Sequence, residues 1–194
     1  MVGTDPSQPV VESPLLPRIS LLIFSIFMLA TESSAGGDYP DCDVSRQTQV
    51  SFAGADSKDQ IAVTIQGSPC YEASLAVSIT SATGTRLYEY EARFKPHVAV
   101  HWEDSSLTED AERLADRFIE PESFGVASDL PPWLPEADYY EANYQIIQIS
   151  KEQYEELRTK DWITYTHSVH YEGWRVVAFD PENQRPIVIS EGTL

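Results

Sequence analysis

Four histidines, His97, His101, His167 and His170, are the residues of this chain best suited to chemistry. His97 and His101 stand four apart, and Trp102, Glu103 and Asp104 follow them. Imidazoles beside carboxylates can bind zinc or exchange protons with a substrate. Pro96 argues against a helix here, and Val98, Val100 and Trp102 recur with a period of two. On the strand that this predicts, His97, Ala99, His101 and Glu103 share one face. Four residues of strand span about 13 Å, whereas two nitrogens on one zinc lie roughly 4 Å apart. His97 and His101 are therefore poor co-ligands. His101 and Glu103 sit closer, at about 7 Å, and a third ligand has to come from another element.

The second pair lies in "WITYTHSVHY". Alternation puts His167 with Ile163, Tyr165, Val169 and Tyr171, which reads as a hydrogen-bonded core or rim histidine. It puts His170 on the opposite, exposed face. The metal site that these spacings allow combines His101, Glu103 and His170. An acid–base site would use Glu103 and Asp104, which flank Trp102 ahead of a helix. Asp104 is better suited to capping that helix or to its positive end. Catalytic carboxylates also need unlike environments, which spacing alone does not supply.

The remaining motifs of catalysis are missing. The chain has no G-x-S-x-G elbow, Walker loop, dinucleotide fingerprint, H-E-x-x-H or calcium loop. No cofactor is expected. A binding surface is the alternative to chemistry. Residues 121–140, "PESFGVASDLPPWLPEADYY", read as a long irregular loop, because Pro131, Pro132 and Pro135 forbid a continuous helix or central strand. The loop interleaves Trp133, Tyr139 and Tyr140 with Asp129, Glu136 and Asp138. Aromatic anchors among carboxylates suit a cationic protein or a carbohydrate. Trp133 can also serve simply to plug the rim of the core.

Charge narrows the partners. The formal net charge is -18, which repels nucleic acid and anionic lipid. Residues 1–35 hold one base, Arg18, and three acids, Asp5, Glu12 and Glu32. Residues 36–194 thus keep 12 of the 13 bases and 28 of the 31 acids, a formal charge of -16.

Arg18 is followed by an apolar run from Ile19 to Ala30 and then by "TESSAGG". Twelve residues of helix reach about 18 Å, short of a roughly 30 Å hydrocarbon core. Ser33 and Ala35 are the small residues that a signal peptidase selects. The expectation is a secretory signal over residues 1–35, with an atypically long, proline-rich N-region, and a single domain over 36–194. The protein is then exported, to a periplasm or the extracellular space, with no stable membrane insertion after cleavage. Cys42 and Cys70 are the only cysteines and are expected to form one structural disulfide.

The elements that must position these residues are strands with two amphipathic helices. "QVSF", "QIAVTIQ", "YEASLAVSIT" and "RLYEYEARF" read as strands, the last two joined as a hairpin by "SATGT". "SSLTEDAERLADRFIEP" carries one apolar stripe, with Ser106 and Glu109 as a capping box. "YQIIQI" is a strand, and "SKEQYEELRTK" is a helix with Ser150 and Gln153 as its capping box. Three C-terminal strands follow, with "DPENQ" as the last turn. The order predicts an α+β fold with a mostly antiparallel sheet. The reading that results is an exported acidic binding module for a cationic envelope or extracellular protein. A metal-dependent or acid–base hydrolase of the same compartment is the alternative.

Overall fold

The structure, a computed structural model, describes residues 40–97, 107–133 and 146–193. The chain divides into Met1–Ala35 and Gly36–Leu194, and the described elements belong to the second unit. They form two antiparallel sheets and two α-helices, and the Cys42–Cys70 disulfide links the start of the first strand to the turn before the third. Antiparallel sheets with two helices fit an α+β fold, with strand outweighing helix.

The first sheet is a meander of β1 (Cys42–Val50), β2 (Asp59–Gly67), β3 (Ser74–Thr80) and β4 (Arg86–Arg93), in that spatial order. Alternation sets its register. Ile61 faces Ile79, Val63 faces Val77 and Ile65 faces Leu75, and all six are fully buried. Each such side chain stabilises the fold by roughly 1.5–3 kcal/mol. β1 runs further toward the N-terminus than "QVSF" suggests and ends before Ser51. It is an edge strand whose inward positions include Arg46 and Thr48, so its sequence lacks a clean apolar alternation. Arg46 reaches over the edge to Asp116, 2.7 Å from Nε to Oδ1. The β1–β2 connection is organised by the buried Asp59 carboxylate. It accepts from the backbone N–H of Phe52 and Ala53 at 2.9 and 2.7 Å and from Ser57 Oγ at 2.5 Å.

Helix α1 (Leu107–Ile119) buries Leu107, Ala111, Leu114, Ala115 and Phe118 and packs on β1 and β2. The second sheet has the order β5 (Phe124–Val126), β7 (Ile163–His170), β8 (Gly173–Asp180), β9 (Arg185–Thr193), β6 (Ile146–Ile147). Its Tyr165, Val177 and Phe179 complete the core beneath the first sheet. Its other face presents Val176, Ala178 and Ile189 to Tyr154 and Leu157 of α2 (Lys151–Leu157). β5 lies inside the stretch read as an irregular loop. Its three residues pair with β7, too short a run for alternation to reveal.

α2 begins as its sequence requires. Ser150 accepts from the Gln153 N–H at 3.2 Å, and the Gln153 side chain accepts from the Ser150 N–H at 3.1 Å. Ile149 packs against the cluster that contains Tyr154. A seven-residue helix depends on such a cap, because it is too short to be stable alone. Ser150→Ala should lower the unfolding free energy by about 1 kcal/mol, read from the urea midpoint at an unchanged m-value. No change would mean that packing of Tyr154 and Leu157 alone sets this end of the helix.

Candidate functional site

The sequence places His97 on a strand face beside His101 and Glu103. The structure corrects that placement for His97. Lys95–His97 form a single 3-10 turn after β4, and His97 points inward, 2% exposed. The Phe94 carbonyl accepts from the His97 N–H at 2.9 Å, which bends the chain at the residue where the alternation changes direction. His101 and Glu103 lie outside the described residues, as do Glu136, Asp138, Tyr139 and Tyr140.

His97 and His167 form the floor of a cleft of about 310 Å3 between the C-terminal end of α1 and the β7–β8 hairpin. His167 is buried, 4% exposed, among the rings of Tyr90, Phe118 and Tyr165. Its protonation state follows from its partners. Nδ1 stands 2.8 Å from the Ser168 carbonyl, which can only accept, so Nδ1 carries the hydrogen. Nε2 is then an acceptor, and the Tyr88 hydroxyl donates to it at 2.6 Å. Arg175 lies near the Tyr88 oxygen and pairs with Glu191 at 2.5 Å. Tyr88 and His167 thus each donate to an acceptor while His167 is neutral. Burial first, and then the Arg175 and His97 charges, hold the His167 pKa down to about 4, against the Ser168 bond that works to raise it.

His97 is governed by the same forces. Burial, with His170 and Arg117 nearby, lowers its pKa to about 4. Nδ1 lies 3.2 Å from Ser168 Oγ, and Nε2 lies 3.4 Å from the Tyr90 hydroxyl. Ser168 Oγ donates to the His170 carbonyl at 2.7 Å. Its hydrogen is therefore committed, and toward His97 it is an acceptor. A serine nucleophile needs the reverse arrangement, with its hydroxyl hydrogen pointing at the imidazole.

The cleft's upper parts are acidic and aromatic. Glu120 and Glu122 follow α1, and Tyr171 and Glu172 form the tip of the β7–β8 hairpin, with Tyr171 60% exposed. Two glycines set the rings. A Cβ at Gly173 would overlap the His170 imidazole, and one at Gly192 would overlap the Trp174 indole. His170 therefore lies half-buried against its own hairpin, less open than alternation alone suggests. Trp174 packs over Gly192 of β9 and against the cluster that holds Val176, Ala178 and Ile189. Arg117 also lines the cleft.

The described part of the aromatic–acidic loop, up to Trp133, is elsewhere. Asp129 is exposed at the end of a 3-10 turn. Trp133 is half-buried, edge-on to Tyr154 at 5.5 Å, with its backbone N–H donating to Glu155 at 3.2 Å. Arg158 and Tyr154 of the α2 region fasten the carbonyls of Leu130 and Pro131, both at 2.9 Å. A further cleft of about 380 Å3 lies between α2 and the β8–β9 turn. Its Lys160 stands over Trp162 at 5.7 Å and pairs with Glu156 and Glu182 at 3.5 and 3.8 Å.

Among the described residues no three His, Cys, Asp or Glu side chains converge as a metal site, and no helix is long and apolar enough to cross a membrane. Sequence reading missed Tyr88, Ser168, Arg175 and Glu191, because their association depends on which strands of two separate sheets face each other. The one signal available was the inward phase of Tyr88 and His167 on their respective strands. Comparison with known family models, with curated proteins and with solved structures finds no match to this chain.

Proposed function

We propose that this protein is an exported, non-catalytic binding module for a cationic envelope or extracellular protein. The observation that carries this reading is the charge of residues 36–194, which hold 28 acidic against 12 basic side chains. Such a surface steers a cationic partner and turns away phosphates. The committed Ser168 hydrogen speaks against a serine nucleophile at this cleft. The disulfide supports an oxidising compartment.

An arginine nonapeptide serves as the test. Its affinity should fall more than about tenfold between about 0.02 and about 0.3 M salt, as screening shortens the reach of exposed charges. Affinity that ignores salt, or no binding at low salt, overturns the reading. Stabilisation by zinc in place of peptide binding would favour the hydrolase alternative that uses His101, Glu103 and His170.

A further inference from the structure

We infer that the outer edge of β1 is the docking strand for the cationic partner, which adds an extended segment to the first sheet and reaches Glu112 and Asp116 of α1 with its basic side chains. The inference rests on the binding reading above and gives it a place. Soluble proteins rarely leave a long sheet edge open, because its unpaired N–H and C=O groups are a template for another strand. The other sheet edges of this fold are closed in ordinary ways. β5 and β6, the edge strands of the second sheet, are three and two residues long. β4 adjoins β9 of the second sheet. β1 is different. It pairs with β2 at nine consecutive positions without a register shift and holds no proline or lysine. Among the described residues no strand lies on its outer side.

Arg46 shows what this edge attracts. Its guanidinium bonds Asp116 Oδ1 through Nε at 2.7 Å and the Ser45 carbonyl through Nη1 at 3.1 Å. One guanidinium therefore spans the distance from the β1 backbone to a carboxylate of α1. The same contact fixes which side of the helix overlooks the edge. Glu112 stands one turn before Asp116, so it lies on that side. It is exposed, and among the described residues no base pairs with it. A strand added to β1 lies about 4.8 Å further out, and alternate side chains of that strand turn toward the α1 face and its carboxylates. In this mode of recognition backbone pairing supplies affinity, and the carboxylates select a basic sequence. A second copy of this chain suits the edge less well. Two domains of formal charge -16 would meet there and set like charges against each other.

The probe is a short peptide of alternating arginine and threonine, at low salt. Amide hydrogen exchange in the wild-type protein reads strand pairing directly. Alternate β1 amides, those turned away from β2, should exchange at least about tenfold more slowly when the peptide is bound. E112Q/D116N should weaken the peptide at least about tenfold. E91Q/E172Q, which removes two exposed carboxylates of β4 and the β7–β8 hairpin, should weaken it less than about twofold. Salt-dependent binding with unchanged β1 exchange, or equal loss in both pairs, overturns the docking edge while leaving the acidic-surface reading standing. Slowing of the same amides on raising the concentration of the protein alone assigns the edge to a second copy and overturns the proposal. Absence of any binding to the wild-type protein removes both readings. Unchanged melting temperatures in both pairs separate lost binding from lost structure, and if E112Q/D116N does not fold, exchange in the wild type decides alone.

Discussion

Between pH 6.5 and about 4 the fold should lose stability through its two buried histidines. In the unfolded chain each imidazole takes up a proton near pH 6.5, whereas in the fold it resists until about pH 4. The folded pKa is depressed, so the stability is complete above the unfolded value and is lost as pH falls through this window. A shift of this size is worth about 3 kcal/mol for His167 alone, and His97 acts in the same direction. Among the described residues no carboxylate contributes to either shift. His97 faces His170 and Arg117, and His167 faces Arg175 and His97. Relief of repulsion among the surface acids works against the loss, so the comparison must be internal. Tyr88→Phe/His167→Phe removes the donor and acceptor of that bond together, and the Ser168 carbonyl loses its Nδ1–H partner at every pH alike. Urea midpoints taken at pH 8, 6.5, 5 and 4 should fall less steeply in this variant than in the wild type. Parallel curves would mean that His167 titrates freely and that the Tyr88 bond does not fix its state.

Opening the disulfide should have an effect of similar size. Cys42 and Cys70 are 28 residues apart, and both are buried. Constraint of that loop in the unfolded chain is worth about 3–4 kcal/mol in the chain-entropy model. The bridge ties the start of β1 to the turn before β3, where the Cys70 N–H also donates to the Pro40 carbonyl at 2.8 Å. Cys42→Ala/Cys70→Ala avoids burying new hydroxyls and should show the loss in guanidinium denaturation at an oxidising potential. Reduced wild type should match it. A midpoint unmoved by either treatment would show that β1 is held by its pairing with β2 alone.

Local rules were readable where the local sequence decides the outcome. The β3–β4 hairpin follows from alternation and from Gly84, whose φ of 86° suits the turn. The cap of α2 follows from Ser150 and Gln153. The disulfide follows from there being two cysteines. β1 was read short because an edge strand needs only part of an apolar face. His97 was misplaced because a period of two beyond Phe94 says nothing of a single 3-10 turn that interrupts it. The site was legible only in fragments. His167 was expected to be hydrogen-bonded, but its partner Tyr88 lies 79 residues away in the other sheet. The cleft needs the end of α1 and the tip of a hairpin to meet, and no spacing within either segment encodes that.

The two sheets are drawn from consecutive stretches of chain. The first uses residues 42–93 and the second residues 124–193. Within the first, every neighbouring pair of strands is also sequential. Its loops are short, so closing them costs little entropy, and a chain emerging from its N-terminus can complete four strands before any of the second sheet exists. The meander then waits with Ile61, Val63, Leu75 and Val77 uncovered. Covering that face takes contacts of longer range than any within the meander, the kind that forms slowly, and an apolar face left bare until α1 and β7 arrive is one that neighbouring chains can stick to.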